Sequence, residues 1–252
     1  MDLNLTGKTV VVVGGGAGVG RAICKVMAEE GAKVAVLDRH LDEAEETARM
    51  VQEKSGIAIA GRINLLDPDD VAAAFEKVVA GLGPVEIMVF GDSVKNNIAP
   101  ISQMKVKDWD NEIAYTTTGA FHCVKQVIDS MKERGWGRFI FISSRAVSSG
   151  AYGQVGYVAS MAGLLGLAKS VALEYARNGV TSNIVFPGLV DTPDYHALPE
   201  EVKERLLNKG LMKRLEEPEE IARTVSYLCS DYAKNITGAE INQTMGGELF
   251  VY

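Results

Sequence analysis

Residues 8–20 of the chain read KTVVVVGGGAGVG, and this stretch sets the expectation for the segments that follow. The β-branched run 10–13 is typical of a short strand that is buried on both faces of a sheet. It leads directly into the Gly-rich turn 14–20, after which apolar residues recur at helical spacing from Ile23 onward. A strand, a Gly-rich turn and a helix in this order predict the first unit of a parallel α/β sheet.

Three glycines of the turn have different expected roles. Gly14 would form the tight turn, Gly18 would let the backbone approach a pyrophosphate, and Gly20 would allow the helix to pack closely on the strand. The helix N-terminus would then present unpaired N–H groups and a partial positive charge to the phosphate oxygens. The pattern therefore predicts a dinucleotide site at this turn.

A second short strand, 33–37, ends at Asp38, eighteen residues after Gly20. A carboxylate at this position can accept hydrogen bonds from both hydroxyls of an adenosine ribose, and it would repel a 2′-phosphate. Arg39 would offset part of that repulsion, but the turn position at which NADP-binding chains often carry a basic residue is Ala17. NAD is therefore the preferred cofactor. The alternative is that Asp38 is only a polar residue at a strand end.

Strand and helix patterns alternate along the rest of the chain. Further strands are predicted at 57–62, 85–90, 138–142, 180–186 and 240–242, and helices at 41–54, 67–81, 106–134, 155–177 and 218–230. This alternation predicts one α/β domain over 1–252, with a Rossmann-type doubly wound parallel sheet of about seven strands between two layers of helices. Ligands of such sheets bind outside the carboxyl ends of the strands.

The composition argues against several function classes. The net charge is −7 without a cluster of Lys and Arg, so binding to nucleic acid or to an anionic membrane is not expected. No apolar run has the length of a membrane span, and the N-terminus lacks the pattern of a secretory signal, so we expect a cytoplasmic protein. The three cysteines lie far apart in helical patterns and are expected to be buried thiols, and no metal-binding motif is visible.

The stretch 143–161, SSRAVSSGAYGQVGYVASM, carries residues that are typical of a catalytic site. Ser144 and Tyr157 lie thirteen positions apart, and Met161 follows Tyr157 by four positions on a predicted helix. Four residues return to nearly the same helix face, so Tyr157 and Met161 should point into one pocket. A cation would suit the phenol, but the thioether of Met161 neither carries charge nor donates a hydrogen bond.

Together these motifs resemble the short-chain dehydrogenase/reductase family over essentially the whole chain. The matching features are the Gly-rich turn, Asp38, Ser144, Tyr157, the segment PGLVDTP with Pro187, Gly188 and Thr192, and the tail 214–247. The resemblance implies a nicotinamide cofactor, and dimers or tetramers formed through two long helices, here about 109–134 and 155–178.

In that family a Ser orients the substrate oxygen and a Tyr exchanges the proton. A Lys four residues later lowers the pKa of the Tyr and holds the nicotinamide ribose, and an Asn supports a water relay. The resemblance assigns the first two roles to Ser144 and Tyr157. Met161 stands at the Lys position, however, and Thr116 stands at the Asn position. Two of the four catalytic positions therefore depart from the family pattern.

Two stretches near the expected cofactor depart as well. Asn64 replaces the Asp that meets adenine in the family, and the family's Asn-Asn-Ala-Gly stretch is here 90–93, FGDS. An unperturbed tyrosine has a pKa near 10, so about one molecule in a thousand is ionised at pH 7. A nearby cation is the usual correction. Lys95 or Arg145 would have to supply it, and Arg145 should face away from Ser144 if the preceding strand persists that far.

The leading hypothesis is that the chain is a catalytically silent or weakly active subunit that pairs with an active homologue in a hetero-oligomer. A tetramer is the favoured form of this hetero-oligomer. The complex would be an NAD-dependent hydroxyacyl-CoA or secondary-alcohol dehydrogenase, and the chain resembles non-catalytic subunits of heteromeric acyl-CoA alcohol dehydrogenases in anaerobic aromatic degradation. Two alternatives stay open. One is an active NAD-dependent alcohol dehydrogenase or ketone reductase that uses Ser144 and Tyr157 with a displaced cation, and the other is a nucleotide-sensing binding protein.

Basic residues recur in the segment 191–214, which is the predicted substrate lid. They are Lys203, Arg205, Lys209, Lys213 and Arg214. They are interpreted either as a solvated helix face or as a patch that meets an anionic substrate such as a coenzyme A thioester.

Overall fold

The computed structural model describes residues 2–94 and 98–247. Seven parallel strands form one sheet in the order β3-β2-β1-β4-β5-β6-β7. The strands are β1 Thr9–Val13, β2 Lys33–Asp38, β3 Ile57–Arg62, β4 Ile87–Phe90, β5 Gly137–Ile142, β6 Val180–Pro187 and β7 Glu240–Gln243. This doubly wound arrangement confirms the predicted fold class.

Helices cover both faces of the sheet. They are α1 Gly18–Glu29, α2 Leu41–Glu53, α3 Pro68–Leu82, α4 Val106–Ile113, α5 Gly119–Arg134, α6 Ala146–Ser149, α7 Val155–Tyr175, α8 Pro193–His196, α9 Glu200–Lys209 and α10 Pro218–Cys229. Most predicted boundaries agree with these bounds to within two residues, because strand and helix periodicities differ clearly in a doubly wound sheet.

The valines of β1 show how the sheet separates two apolar cores. Val11 and Val13 pack on the side of α3, α5 and α7, whereas Val10 and Val12 pack on the side of α1 and α10. All four side chains are fully buried. Burying one valine stabilises the fold by about 1.5 kcal/mol or more, so this short run accounts for a large share of the central packing.

The amphipathic stretch 106–134 is helical over its whole length, but it contains an irregularity that the sequence did not predict. A π-helical segment, Ala114–Thr118, separates α4 from α5. Two of its side chains bond outside the helix: the Tyr115 hydroxyl donates to Asp92 Oδ2 at 2.6 Å, and Thr117 Oγ1 donates to the carbonyl of Ser160 at 2.9 Å. A π segment inserts one residue into the helical repeat, which an apolar pattern does not reveal.

The long helix α7 is apolar on more than one side. Within the described residues, Val155–Asn178 is long and apolar enough to cross a membrane by length and composition alone. Leu164, Ala168 and Val171 are nevertheless buried in the core under β5 and β6. Packing on the sheet therefore explains one side of α7, while Leu173 on another side is 86% exposed.

The start of α3 gives a test of local structure. Asp67 Oδ1 accepts hydrogen bonds from the backbone N–H groups of Asp69 at 3.0 Å and Asp70 at 3.4 Å, and Pro68 occupies the first turn, as predicted. We expect Asp67→Ala to lower the free energy of unfolding by about 1 kcal/mol, measured by urea denaturation. Glu76→Ala, on the exposed middle of α3, is the control. An equal loss in both variants would contradict the capping role.

Candidate functional site

The candidate site lies at the carboxyl end of β1, where the strand order reverses. Val13, the last residue of β1, lies between Leu37 of β2 and Phe90 of β4. The segments that follow two such strands run to opposite faces of the sheet. A crevice opens between these segments, and ligands of doubly wound sheets bind in it. The Gly-rich turn begins at this point, directly after Val13.

The glycines of the turn are tightly enclosed. Gly14 has φ +81°, and a Cβ built on it would lie 2.8 Å from the backbone nitrogen of Asp92. A Cβ on Gly20 would lie 1.9 Å from the carbonyl oxygen of Gly14, so close packing of α1 on β1 requires glycine there. Gly18, with φ +49°, faces Thr192, whose Cγ2 would be 3.4 Å from a built Cβ. The turn and the segment after β6 therefore lie next to each other.

Asp38 holds the turn in place. Its Oδ2 accepts a hydrogen bond from the N–H of Gly16 at 2.9 Å, and its Oδ1 accepts one from the N–H of His40 at 3.0 Å. Each carboxylate oxygen can accept a second hydrogen bond. These contacts therefore leave capacity on Asp38 for a ribose hydroxyl.

Arg39 turns across the crevice. Its Nη2 lies 3.2 Å from Asp92 Oδ1 and donates to the carbonyl of Ser93 at 2.9 Å. Its guanidinium lies 4.9 Å from the ring centroid of Tyr115. From the sequence, Arg39 was expected only to offset repulsion of a 2′-phosphate, and Asp92 was assigned no role. The signal for Asp92 was an acidic residue in a stretch where the family carries none.

The carboxyl group of Asp92 is almost fully buried, with 7% of the residue exposed. Burial raises the pKa of Asp92 above its usual value, although Arg39 and the hydrogen bond from Tyr115 oppose that rise. Burial also raises the pKa of Tyr115, as does the charge of Asp92. The phenol of Tyr115 therefore stays a donor to Asp92 at physiological pH.

A nicotinamide dinucleotide fits only part of this crevice. The Gly-rich turn and the start of α1 offer the backbone cradle that a pyrophosphate requires. The side chain of Arg39, however, spans from β2 to the segment after β4 and covers the end of β1 between them. Arg39 and the buried Asp92 therefore lie across the part of the crevice in which the adenosine half of a dinucleotide would have to lie.

The predicted catalytic stretch joins the end of β5 to the start of α7. Tyr157 is 9% exposed and Met161 4%, and both belong to the apolar cluster on the side of α3, α5 and α7. Ser143 Oγ donates to the carbonyl of Met161 at 3.1 Å. Ser144 Oγ accepts from the N–H of Ala146 at 3.2 Å, at the start of α6. Ser144 and Tyr157 are thus present at the family's positions. The position of the family's Lys is occupied by an apolar side chain, Met161.

Thr116 lies in the π segment and is completely buried. Among the residues that the structure describes, its Oγ1 has no hydrogen-bond partner. A buried hydroxyl without a partner costs about 1–3 kcal/mol. The π segment thus lies where the family carries its Asn. Thr116, however, does not have the side-chain amide of that Asn.

The two cations considered as replacements have different outcomes. The strand does not persist as far as Arg145, because β5 ends at Ile142 and Arg145 directly precedes α6, so the condition under which Arg145 would face away from Ser144 is not met. Its Nη1 donates to the carbonyl of Gly247 at 3.0 Å, so this side chain attaches the segment after β7 to the catalytic stretch. Lys95 lies outside the described residues.

Glu216 ties together the two ends of the predicted lid. Its N–H donates to the carbonyl of Leu189 at 2.8 Å, and its carbonyl accepts from the N–H of Asp191 at 2.9 Å. Its carboxylate accepts from the N–H of Gly188 at 3.1 Å, and burial raises the pKa of Glu216. The segment between these anchors contains α8 and α9.

Two of the basic side chains in the lid have acidic partners. Lys203 lies 3.2 Å from Glu200, and Arg214 lies 2.7 Å from Glu220. Such pairs are common on solvated helix faces. They favour the interpretation of these charges as a solvated surface over that of an anion-binding patch.

The remaining predicted cofactor residues have local structural roles. Asn64 Oδ1 accepts from the N–H of Leu66 at 3.2 Å, and the N–H of Asn64 donates to Asp70 Oδ2 at 2.7 Å. Pro187 ends β6, and the N–H of Gly188 donates to the carbonyl of Gln243 on β7 at 2.9 Å. The cofactor roles of these residues stay predictions.

Comparison with known proteins agrees with this architecture. The sequence profile described as short chain dehydrogenase matches residues 8–203. The chain belongs to the short-chain dehydrogenase family. It is thereby placed among oxidoreductases with a Rossmann-type fold, which confirms the family that the motifs indicated.

This short-chain dehydrogenase is similar to several characterised reductases along nearly its whole length. It is 34% identical over 241 residues to a 3-oxoacyl-(acyl-carrier-protein) reductase of Staphylococcus epidermidis, covering 95% of this chain and 98% of the relative. An Aquifex aeolicus reductase of the same name is 32% identical over 248 residues, covering 98% and 99%. The acetoacetyl-CoA reductase of Rhizobium meliloti is 36% identical over 244 residues, covering 96% and 99%.

Proposed function

We propose that this short-chain dehydrogenase is a catalytically silent or weakly active subunit that pairs with an active homologue in a cytoplasmic hetero-oligomer. The single observation that carries the proposal is Met161, which is buried among apolar side chains at the position where the family places its catalytic Lys. The complex would oxidise a hydroxyacyl-CoA or another secondary alcohol with NAD, and the active homologue would carry the cofactor.

Without a cation at position 161, Tyr157 is poorly suited to proton transfer. A tyrosine acts as a general base only if a neighbour favours its ionised form, and Met161 carries no charge. Well-placed acid–base catalysis contributes roughly a hundredfold to ten thousandfold to the rate. Loss of the cation that holds the nicotinamide ribose would also disturb the geometry of hydride transfer. The buried hydroxyl of Thr116 shows a second catalytic position without its family side chain.

The proposal of pairing is supported by the outer sides of the long helices. Leu173 on α7 is 86% exposed, Phe121 on α5 is 49% exposed, and Gly166 lies on the open side of α7. A helix that is apolar on several sides usually has several covered sides. A homologue that presents equivalent helices would cover these side chains and form a tetramer of two unlike pairs.

The proposed substrate class follows from the names of the relatives, which reduce thioesters of 3-oxo acids. Their reverse reaction is the oxidation of a 3-hydroxyacyl thioester. Within this class, we propose that the chain is a subunit of the kind present in 2-(α-hydroxybenzyl)succinyl-CoA dehydrogenase of anaerobic aromatic degradation.

The test is an activity assay with 3-hydroxyacyl-CoA substrates and NAD, applied to the purified chain and to its complex with a homologue that has an intact Tyr-x-x-x-Lys motif. We expect the chain alone to turn over not at all or at least a hundredfold more slowly than the complex. Tyr157→Phe in this chain should leave the rate of the complex unchanged, as should the control Tyr152→Phe on the surface. Turnover by the chain alone that disappears in Tyr157→Phe would sink the proposal.

The second candidate is an active NAD-dependent reductase that uses Ser144 and Tyr157 with a displaced cation. The names of the relatives favour it, since all three are reductases. The same assay separates the two candidates, because only an active enzyme loses turnover in Tyr157→Phe without its partner present.

A further inference from the structure

We propose that Arg39, Asp92 and Tyr115 form a side-chain latch that closes the adenosine end of the crevice and keeps adenine dinucleotides out of this chain. The inference concerns binding rather than proton transfer, so it goes beyond the proposed function. It rests on contacts among the three side chains and not on Ser144, Tyr157 or Met161.

The Arg39 side chain crosses from one side of β1 to the other. Val13 lies between Leu37 and Phe90 in the sheet. Arg39 follows Leu37 by two residues and Asp92 follows Phe90 by two residues, so the two partners lie on either side of β1. Two strand spacings separate β2 from β4 by about 10 Å. The arginine side chain crosses this gap directly beyond β1, where the Gly-rich turn begins.

Asp92 keeps its complete set of hydrogen-bond and ionic partners only while the latch is closed. Asp92 Oδ1 accepts from the N–H of Ser93 at 2.8 Å and lies 3.2 Å from Arg39 Nη2, while Oδ2 accepts from the Tyr115 hydroxyl at 2.6 Å. A buried carboxylate that loses its counter-charge is strongly disfavoured. Entry of a nucleotide would require that loss, because the guanidinium would have to leave the crevice.

Electrostatic repulsion also opposes entry of a nucleotide. If Arg39 swung out to solvent, the carboxylate of Asp92 would face the crevice without its counter-charge. A dinucleotide carries negative phosphates, which a nearby carboxylate repels. Arg39 is only partly exposed, at 37% of its side chain, and it is held by Ser93 and the ring of Tyr115 as well as by Asp92. Three contacts therefore oppose the opening.

One residue of the latch belongs to the π segment. Tyr115 belongs to the π segment, and its hydroxyl reaches Asp92 across 23 positions of sequence. The same segment carries Thr116 at the family's Asn position. The π segment thus contributes one side chain to the latch, and the next side chain is completely buried.

The test is isothermal calorimetry with ADP-ribose and with NAD as separate probes. ADP-ribose lacks the nicotinamide ring, so its affinity isolates the adenosine end from the loss of the Lys at Met161. We expect Asp92→Ala to bind both probes at least tenfold more tightly than the unmodified chain, and Arg39→Ala/Asp92→Ala to do the same. Glu46→Ala, which removes an exposed carboxylate paired with Arg49 on α2, is the charge-matched control for Asp92→Ala, and Glu46→Ala/Arg49→Ala is the control for the double variant. Neither control should change the affinity for either probe.

Circular dichroism and thermal melting would confirm that each variant is folded before the titrations are compared. The latch proposal is overturned if the unmodified chain binds ADP-ribose as tightly as the two latch variants. It is equally overturned if both folded variants show no gain for ADP-ribose. Neither result depends on turnover, so the proposed silent role stands or fails on its own assay.

Discussion

Gly20→Ala is expected to lower the free energy of unfolding by about 3 kcal/mol, which is a large fraction of the roughly 5–15 kcal/mol by which a typical domain is stable. The added Cβ would lie 1.9 Å from the carbonyl oxygen of Gly14 and 2.8 Å from its carbonyl carbon. Both atoms are backbone in the middle of the tight turn, so they cannot move aside as a flexible side chain can. Either β1 or α1 must shift, and the core on that face loses its packing.

The same substitution at another helical glycine is the matched control. Gly166 lies in α7, and a Cβ built on it meets no atom within 4 Å. Gly166→Ala should therefore raise the free energy of unfolding by about 0.5–1 kcal/mol, because alanine favours a helix over glycine. Urea denaturation of the isolated chain measures both effects. A similar loss in the two variants would mean that helix propensity, rather than the contact with Gly14, controls the result.

The fold could be predicted because its signals are local. A β-branched run, a Gly-rich turn and a helical repeat each extend over a few consecutive residues, and their order restricts the topology to a parallel doubly wound sheet. The buried run 10–13 and the Asp67 cap are examples in which sequence and structure agree residue by residue. The division of 106–134 by the π segment was missed because one inserted residue hardly changes an apolar periodicity.

The candidate site was only partly predictable, for a physical reason that Arg39 makes clear. Its partner Asp92 lies 53 positions away, on the opposite side of β1. Such a contact depends on the strand order and on side-chain rotamers, neither of which a local pattern contains. The family motifs indicated where Tyr157, Met161 and Thr116 would lie. They did not indicate that the side chain of Arg39 would lie across the crevice.

Met161→Lys is expected to lower the free energy of unfolding by about 4 kcal/mol at pH 7, because burial lowers the pKa of a lysine by several units and each unit costs about 1.4 kcal/mol. Met161 is 4% exposed and lies among apolar side chains. A lysine whose pKa is lower in the folded state is penalised below its unfolded pKa, near 10.4. The destabilisation should therefore decrease as the pH rises toward 10. Met161→Leu should cost less than about 1.5 kcal/mol at every pH.

These stabilities bear directly on the loss of function. If Met161→Lys is as stable as the unmodified chain at pH 7, the pocket still holds partners for a cation and the silent-subunit proposal is weakened. Adding Thr116→Asn restores the second family side chain at the fully buried position. We expect no turnover from the pair in the isolated chain, because two polar groups do not open a crevice that Arg39 spans. Turnover from the pair would instead show that the proton relay alone had been lost.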